Sequence, residues 1–265
     1  AHPRLAYPTY AVGAALVGAV DVVADDVADL EALAAAGCTP RLVWVNSPAN
    51  PTGAVLGPNT LVDLLAWCRA HDALLVSDEC YLDLAFDAPA LSVLHPDVCG
   101  GSHDGVLAVH SLSKRSNLAG YRIGFVSGDP ALVAELASVR RNLGLQLPGP
   151  QQGAAIAALA DDDHVIAQRE RYAARRAVLR PALEAAGFTV DHSQGGIYLW
   201  ATRDEPCERT IGALADVGVV AVPGDEYGTY GARHVRLALT APDADVVVAA
   251  ERLRVLTPAT PSPGS

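Results

Sequence analysis

The sequence predicts an α/β chain with a mainly parallel sheet, followed by a smaller α+β part. Three observations carry that expectation. Short apolar, β-branched runs recur through the first half, and longer helical patterns lie between them. A stretch bearing Gly and Pro at 143–150 (LGLQLPGP) then separates this alternation from a more mixed order.

Val20–Val23, Leu42–Val45, Leu74–Ser77, Val106–His110 and Ile123–Ser127 each fit a short buried strand. Helices are expected at Val27–Ala36, Leu61–His71 and Pro130–Asn142. The opening residues, AHPRLAYPTY, show neither a helix nor a strand start. Beyond the break, helices are expected at Gln151–Ala160 and His164–Ala186, with Gly187 as the stop of the second. Strand-like pieces follow at Phe188–Asp191, Ile197–Ala201, Val219–Val222 and Val235–Leu239, with helices at Glu208–Val217 and Pro242–Val255. The final Thr, Pro, Ala, Ser and Gly residues, 257–265, read as a disordered tail.

Composition narrows the function classes. The chain of 265 residues is 51% hydrophobic, enough for a sizeable core. A net charge of −11 argues against a nucleic-acid surface, which needs clustered Lys and Arg, but leaves room for a small anion in a locally basic pocket. The five cysteines show no CxxC pair, which argues against a disulfide framework and a structural zinc site and suggests the cytoplasm. No apolar run reaches the length of a membrane span.

Three polar clusters fall where expected strands end, the place where parallel sheets gather ligands. NSPANPTG, 46–53, forces a tight turn and puts the Asn50 amide within reach of a ligand; a plain strand-to-helix loop is the bland alternative. SDECY follows Leu74–Ser77. Asp78, emerging from a buried strand, needs a cationic or N–H partner unless it simply caps a turn, and Tyr81 lies three residues on. Glu79 reads as a surface charge. The third cluster, HSLSKRSNLAGYRIGF, is the sharpest. In extended backbone Ser111 and Ser113 point the same way and can address one anion, Lys114 supplies a nucleophilic amine, and Arg122 begins the next strand with a guanidinium able to fork phosphate oxygens. Late in the chain, GGIYLW reads as a core strand around Trp200, and RHVRLAL sets Arg236 on the face opposite Val235 and Leu237, toward a cleft or toward solvent.

The ordered set NPTG, D-x-x-Y, S-x-S-K with Arg eight residues on, and a late strand Arg resembles the class I and II, fold-type I aminotransferases that use pyridoxal 5′-phosphate (PLP). The resemblance runs from about Ala6 to Leu256. It implies the PLP-dependent transferase (aspartate aminotransferase-like) fold, with a PLP-binding large domain over 1–160, incomplete at its N-terminus, and a small C-terminal domain over 161–256. It also implies roles. Lys114 would hold PLP covalently and then serve as general acid and base. Asp78 would pair with the pyridine N–H, while Tyr81 and Asn50 would hydrogen-bond the ring's phenolic oxygen. Ser111, Ser113 and Arg122 would grip the phosphate, Tyr7 of the Y-P-x-Y segment would stack on the ring, and Arg236, with Asn50 beside it, would bind the substrate carboxylate.

The implied reaction moves an amino group between an amino acid, glutamate, and a 2-oxo acid in a homodimeric full-length enzyme. The wording of the motifs is most similar to actinobacterial N-succinyldiaminopimelate aminotransferases, which implies N-succinyl-2-amino-6-oxopimelate as acceptor and a place in lysine biosynthesis. The family's Gly/Ser-rich phosphate turn is expected upstream of Tyr7, where this sequence has only six residues. Two alternatives therefore stand beside a transaminase: a truncated, non-catalytic relative, and a PLP lyase of the same fold.

Overall fold

The computed structural model describes residues 1–87 and 89–256; the expected tail lies outside the described residues. Among the described residues, strands β1 (Leu42–Asn46), β2 (Leu74–Asp78), β3 (Val106–Ser111) and β4 (Gly124–Gly128) form one sheet in the order β1-β2-β3-β4. β1, β2 and β3 run parallel, whereas β4 returns antiparallel to β3. The reason lies in the connection. A parallel crossover needs a dozen or more residues, usually with a helix long enough to span the sheet. Residues 112–123 are instead spent on one helical turn, one 3-10 turn and the loops around them.

Helices α1 (Thr9–Leu16), α2 (Val27–Ala35) and α3 (Pro58–Ala70) belong to this half, with the single turns α4 (Pro96–Cys99) and α5 (Leu112–Arg115). Asp26 caps α2 by accepting from the Asp29 N–H at 2.9 Å, and α3 starts on Pro58, whose missing N–H costs nothing in a first turn. Leu61, Leu64, Leu65 and Cys68 bury one face of α3 against Val43, Val45, Leu75 and Val106 of the sheet. Two expectations fail here. Val20–Val23 is not a strand: Val20 is 87% exposed, without the burial a parallel strand requires, and Val23 makes one isolated bridge to His2. The opening segment, read as structureless, contains α1, which begins after Pro8 with no side-chain cap to announce it.

Helices α6 (Pro130–Asn142) and α7 (Gly149–Leu159) follow β4, then the long α8 (Asp163–Ala185), closed by Gly187. Strands β5 (Thr189–Asp191), β6 (Tyr198–Thr202), β7 (Val222–Pro223) and β8 (His234–Ala238) make a second, antiparallel sheet in the order β5-β6-β8-β7, with α9 (Cys207–Asp216) and α10 (Asp243–Leu253). Leu199, Leu214, Val235, Leu237 and Leu253 centre its core, which Leu179 and Leu183 of α8 and Tyr81 and Leu84 of the first half also join. By contrast, α6 and α7 carry no buried residue, and β4 is exposed from Gly124 to Val126. An open groove of about 970 Å³ runs between β4 and α6, lined by Arg122, Phe125, Val126, Leu136 and Leu145.

Gly128 ends β4 at φ 135°, where a Cβ would sit 2.2 Å from the Val106 carbonyl oxygen. Both the backbone conformation and the space exclude a side chain. Gly128→Ala is expected to destabilise the chain by about 2 kcal/mol or more, read as a lower urea midpoint.

Candidate active site

The parallel register brings the polar clusters to one edge. Asn46 lies opposite Asp78, and Asp78 opposite Val109, so the carboxyl ends of β1, β2 and β3 are level. The turn after β1 is pinned from within: Asn46 Nδ2 donates to the carbonyls of Asp78 (2.8 Å) and Pro48 (3.1 Å), and its Oδ1 accepts from the Asn50 N–H at 2.7 Å. Ser47–Pro48 and Asn50–Pro51 are both cis. Asn50 is buried.

Asp78 is half-buried and its two oxygens are shared out. Oδ1 accepts from the Cys80 N–H at 3.1 Å, and Oδ2 accepts from the Tyr10 hydroxyl at 2.7 Å. Tyr10 comes from α1, stacks on Trp44 of β1 at 4.9 Å, and has its hydroxyl pKa pushed up by burial and then by Asp78, so it stays a donor. Tyr10 is a residue of this edge to which the sequence assigned no role; the cue was its place as the second tyrosine of Y-P-x-Y, three residues after Tyr7. Tyr7 itself is 47% exposed and meets Tyr10 edge-on at 6.4 Å.

Ser111 ends β3 in extended backbone and caps the following turn, its Oγ accepting from the Ser113 N–H at 3.1 Å and donating to the Ile123 carbonyl at 3.3 Å. The extended reading of this segment stops there: Ser113 and Lys114 lie in the helical turn α5, so the two serines do not alternate on one strand face. Lys114 is half-buried, and its charge reaches the Cys80 thiol beside Asp78, whose pKa burial otherwise raises. The neighbouring Arg115 anchors the turn, with Nε 3.1 Å from Asp83, an N–H to the Ala158 carbonyl at 2.9 Å and a short ion pair to Asp162. Arg122 does not begin a strand. It is exposed, sits at φ 56° before Gly124, and donates to Ala119 within its own turn at 2.9 Å. The left-handed bend is what lets Ile123 turn inward before β4 starts.

Arg236 of β8 reaches this edge from the second sheet. Its Nη1 donates to Asn50 Oδ1 at 2.9 Å, and its guanidinium lies over the ring of Tyr198 at 3.8 Å and near that of Tyr227 at 4.9 Å. Its Nε is buried without a hydrogen-bond partner. A half-buried guanidinium with one donor lacking a partner is suited to an anionic ligand. The set as a whole suits PLP by its chemistry: a carboxylate for a protonated pyridine, a phenol and an amide for a phenolic oxygen, an amine for an aldehyde, and hydroxyls with a guanidinium for a phosphate. Asp78, Asn50, Tyr81 and Arg236 form one connected neighbourhood through Asn46 and Tyr198, while Arg122 stands apart from it.

A family model described as aminotransferase class I and II matches residues 1–253. The chain belongs to that family. Its members are PLP-dependent enzymes. The chain is 55% identical to the probable aminotransferase Rv1178 of Mycobacterium tuberculosis over 95% of its own length and 59% of that protein's. It is 53% identical to the 4-dedimethylamino-4-oxo-anhydrotetracycline transaminase OxyQ of Streptomyces rimosus, covering 96% of this chain and 69% of the relative. Its fold is similar to that of the N-succinyldiaminopimelate aminotransferase of M. tuberculosis (TM-score 0.85, 29% identity), covering 97% of this chain and 71% of that one. The chain thus spans 59% to 71% of the length of these three proteins.

Glu79, expected at the surface, is instead 2% exposed. It follows β2 beyond Asp78; one oxygen accepts from the Val93 N–H at 2.8 Å and the other lies 3.6 Å from His110 Nε2, without a hydrogen bond. A two-residue alternation past the strand end would turn it outward, but residues 92–93 fold over it. Burial raises its carboxyl above the ordinary value of 4.5, outweighing the Val93 N–H, Ser92 and His110. The folded chain therefore keeps this proton after the unfolded chain has lost it, and stability falls as pH climbs from 4.5 through the folded value. Glu79→Gln has no such proton to lose. The stability of wild type relative to Glu79→Gln is expected to decline between pH 4 and pH 7 in urea titrations at fixed pH; a flat difference would contradict the burial argument.

Proposed function

We propose that this chain is the catalytic part of a PLP-dependent aminotransferase that moves an amino group from an amino acid, glutamate, to a 2-oxo acid. The observation that carries the reading is the Arg236–Asn50 contact at 2.9 Å. It sets a half-open guanidinium from the second sheet beside the turn that borders Asp78. Bound PLP supplies the electron sink for the charge developing at the substrate's α-carbon.

The chain's own residues do the rest. Lys114 would hold the cofactor through its amine and, once released, would serve as the base that takes the proton from the substrate's α-carbon. Asp78 keeps the pyridine nitrogen protonated, with Tyr10 holding the carboxylate in place. Asn50 spends its carbonyl on Arg236, so its amide N–H group is left to donate to the ring's phenolic oxygen alongside the Tyr81 hydroxyl. Ser111, Ser113 and Arg122 would bind the phosphate, Arg122 with the donors that its bond to Ala119 leaves over. Tyr7 covers the ring face, and Arg236 takes the substrate carboxylate. The domain division near residue 160, a homodimeric full-length form and a cytoplasmic setting belong to the same proposal; among the described residues no helix is long and apolar enough to cross a membrane.

For the acceptor, similarity to the M. tuberculosis N-succinyldiaminopimelate aminotransferase supports N-succinyl-2-amino-6-oxopimelate and thereby lysine biosynthesis. The 53% identity to OxyQ supports a second reading, in which the acceptor is a cyclic ketone. Comparing the two acceptors after loading with glutamate separates them.

Incubation with PLP followed by borohydride is expected to leave a stable adduct on Lys114, absent from Lys114→Ala, and glutamate should discharge the visible band before reduction. A wild-type chain with no band overturns the proposal. Arg236→Gln is expected to raise KM for glutamate roughly 10- to 100-fold, the loss of a charge-assisted pair, with a smaller change in kcat.

A further inference from the structure

We infer that Tyr198 is a two-ended positioning residue, its ring holding Arg236 for a carboxylate and its hydroxyl supporting that of Tyr81. The inference rests on the proposed function for the roles of those two residues and adds the group that joins them. Tyr198 opens β6, and the β6–β8 register sets Trp200 opposite Arg236 and Tyr198 opposite Ala238. Strand alternation therefore puts Tyr198, Trp200 and Arg236 on one face of the sheet, with Tyr198 diagonal to the arginine.

The ring end follows from how a guanidinium can be held. Its N–H donors lie in its plane, so a hydrogen-bonding support would consume the donors that an incoming carboxylate needs. An aromatic face supports it from above and leaves the edge open. Here the Arg236 guanidinium carbon is 3.8 Å from the Tyr198 ring centroid and 4.9 Å from that of Tyr227; Nη1 donates to Asn50, and Nε, itself buried, has no hydrogen-bond partner.

The hydroxyl end faces the cofactor residues. Tyr198 and Tyr81 are both at least nine-tenths buried, their rings meet edge-on at 6.1 Å and 69°, and their oxygens are 3.5 Å apart. Burial and then Tyr198 push the Tyr81 pKa up, so Tyr81 keeps its proton and acts as a donor. When that proton is directed at a ligand oxygen, Tyr81's own oxygen is left to accept, and the Tyr198 hydroxyl stands beside it. A hydroxyl that accepts a hydrogen bond becomes a better donor. One side chain thus links the two groups to which the proposed function gives opposite ends of the reacting molecule.

Two variants separate the ends. Tyr198→Phe keeps the ring and removes the hydroxyl; Tyr198→Leu removes both. In calorimetric titration of the cofactor-free chain with 2-oxoglutarate, Tyr198→Phe is expected to bind within about twofold of wild type and Tyr198→Leu about tenfold more weakly. In the PLP-loaded chain, Tyr198→Phe is expected to move the pH midpoint of the visible band upward, because the weakened Tyr81 donor no longer favours the deprotonated form as strongly. Circular dichroism melting of both variants separates these effects from unfolding, and the conservative phenylalanine carries the test where leucine fails to fold. A Tyr198→Phe chain that binds 2-oxoglutarate as weakly as Tyr198→Leu, or whose band titrates as wild type, overturns the assignment. Absence of a borohydride-stable adduct on wild-type Lys114 overturns the proposed function and the hydroxyl end with it. Adducts in all three chains, with no difference between them in affinity or midpoint, overturn Tyr198 alone.

Discussion

The turn from Asn46 to Gly53 is stitched by main-chain bonds to the loop that precedes β6, and the geometry of the site depends on that seam. The Gly195 N–H donates to the Gly53 carbonyl at 2.9 Å, and the Ser193 N–H to that of Thr52 at 3.2 Å. On its other side the same loop is held by the Phe86 N–H to the Gln194 carbonyl (2.8 Å) and the Gly196 N–H to that of Leu84 (2.9 Å). Gly53 sits at φ 71°, where a Cβ would come within 2.7 Å of the Gly195 oxygen. Only backbones without side chains approach this closely. Because they do, β6 starts beside the turn, β8 pairs with β6, and Arg236 lands on Asn50.

Charge around this seam is arranged by burial as much as by pairing. Asp78, half-buried at the strand end, accepts from the Cys80 N–H and the Tyr10 hydroxyl, and the charge of Lys114 reaches the neighbouring Cys80 thiol. Tyr10 and Tyr81 are held as donors by the same desolvation that would penalise their phenolates. Arg236 is the counterpart. Its guanidinium lies over the Tyr198 ring and near that of Tyr227, and its buried Nε has no hydrogen-bond partner.

The lysine's turn is held by the fully buried Leu112 and by the ion pairs of Arg115. Arg115 ties α5 to Asp83, just past Tyr81, and to Asp162 at the start of α8, so a single side chain sets the distance between the Asp78–Tyr81 segment and Lys114. Beside it, β4, α6 and α7 present an apolar face, with Phe125, Val126, Leu136, Val139 and Ile156 exposed. The regions that bear the chemistry thus differ in support: a buried seam on the Asn50 side, a polar clamp on the Lys114 side.

Much of this was legible in the residues. Short apolar runs located β1, β2 and β3, and period-3.6 patterns located α3 and α8, because those elements are buried, and the order of NPTG, D-x-x-Y and S-x-S-K pointed to the family whose model matches residues 1–253. Tertiary contacts decided the rest. Val20–Val23 has strand composition but pairs only through the isolated Val23–His2 bridge, and α1 forms without a cap because Tyr10 is buried against Trp44. Glu79 follows a surface pattern and is covered by residues 92–93, which lie far from it in sequence. Local pattern could choose the residues at each strand end. Which of them meet depended on backbone approach at Gly53 and Gly195, a contact between segments more than a hundred residues apart that leaves no periodic trace in either.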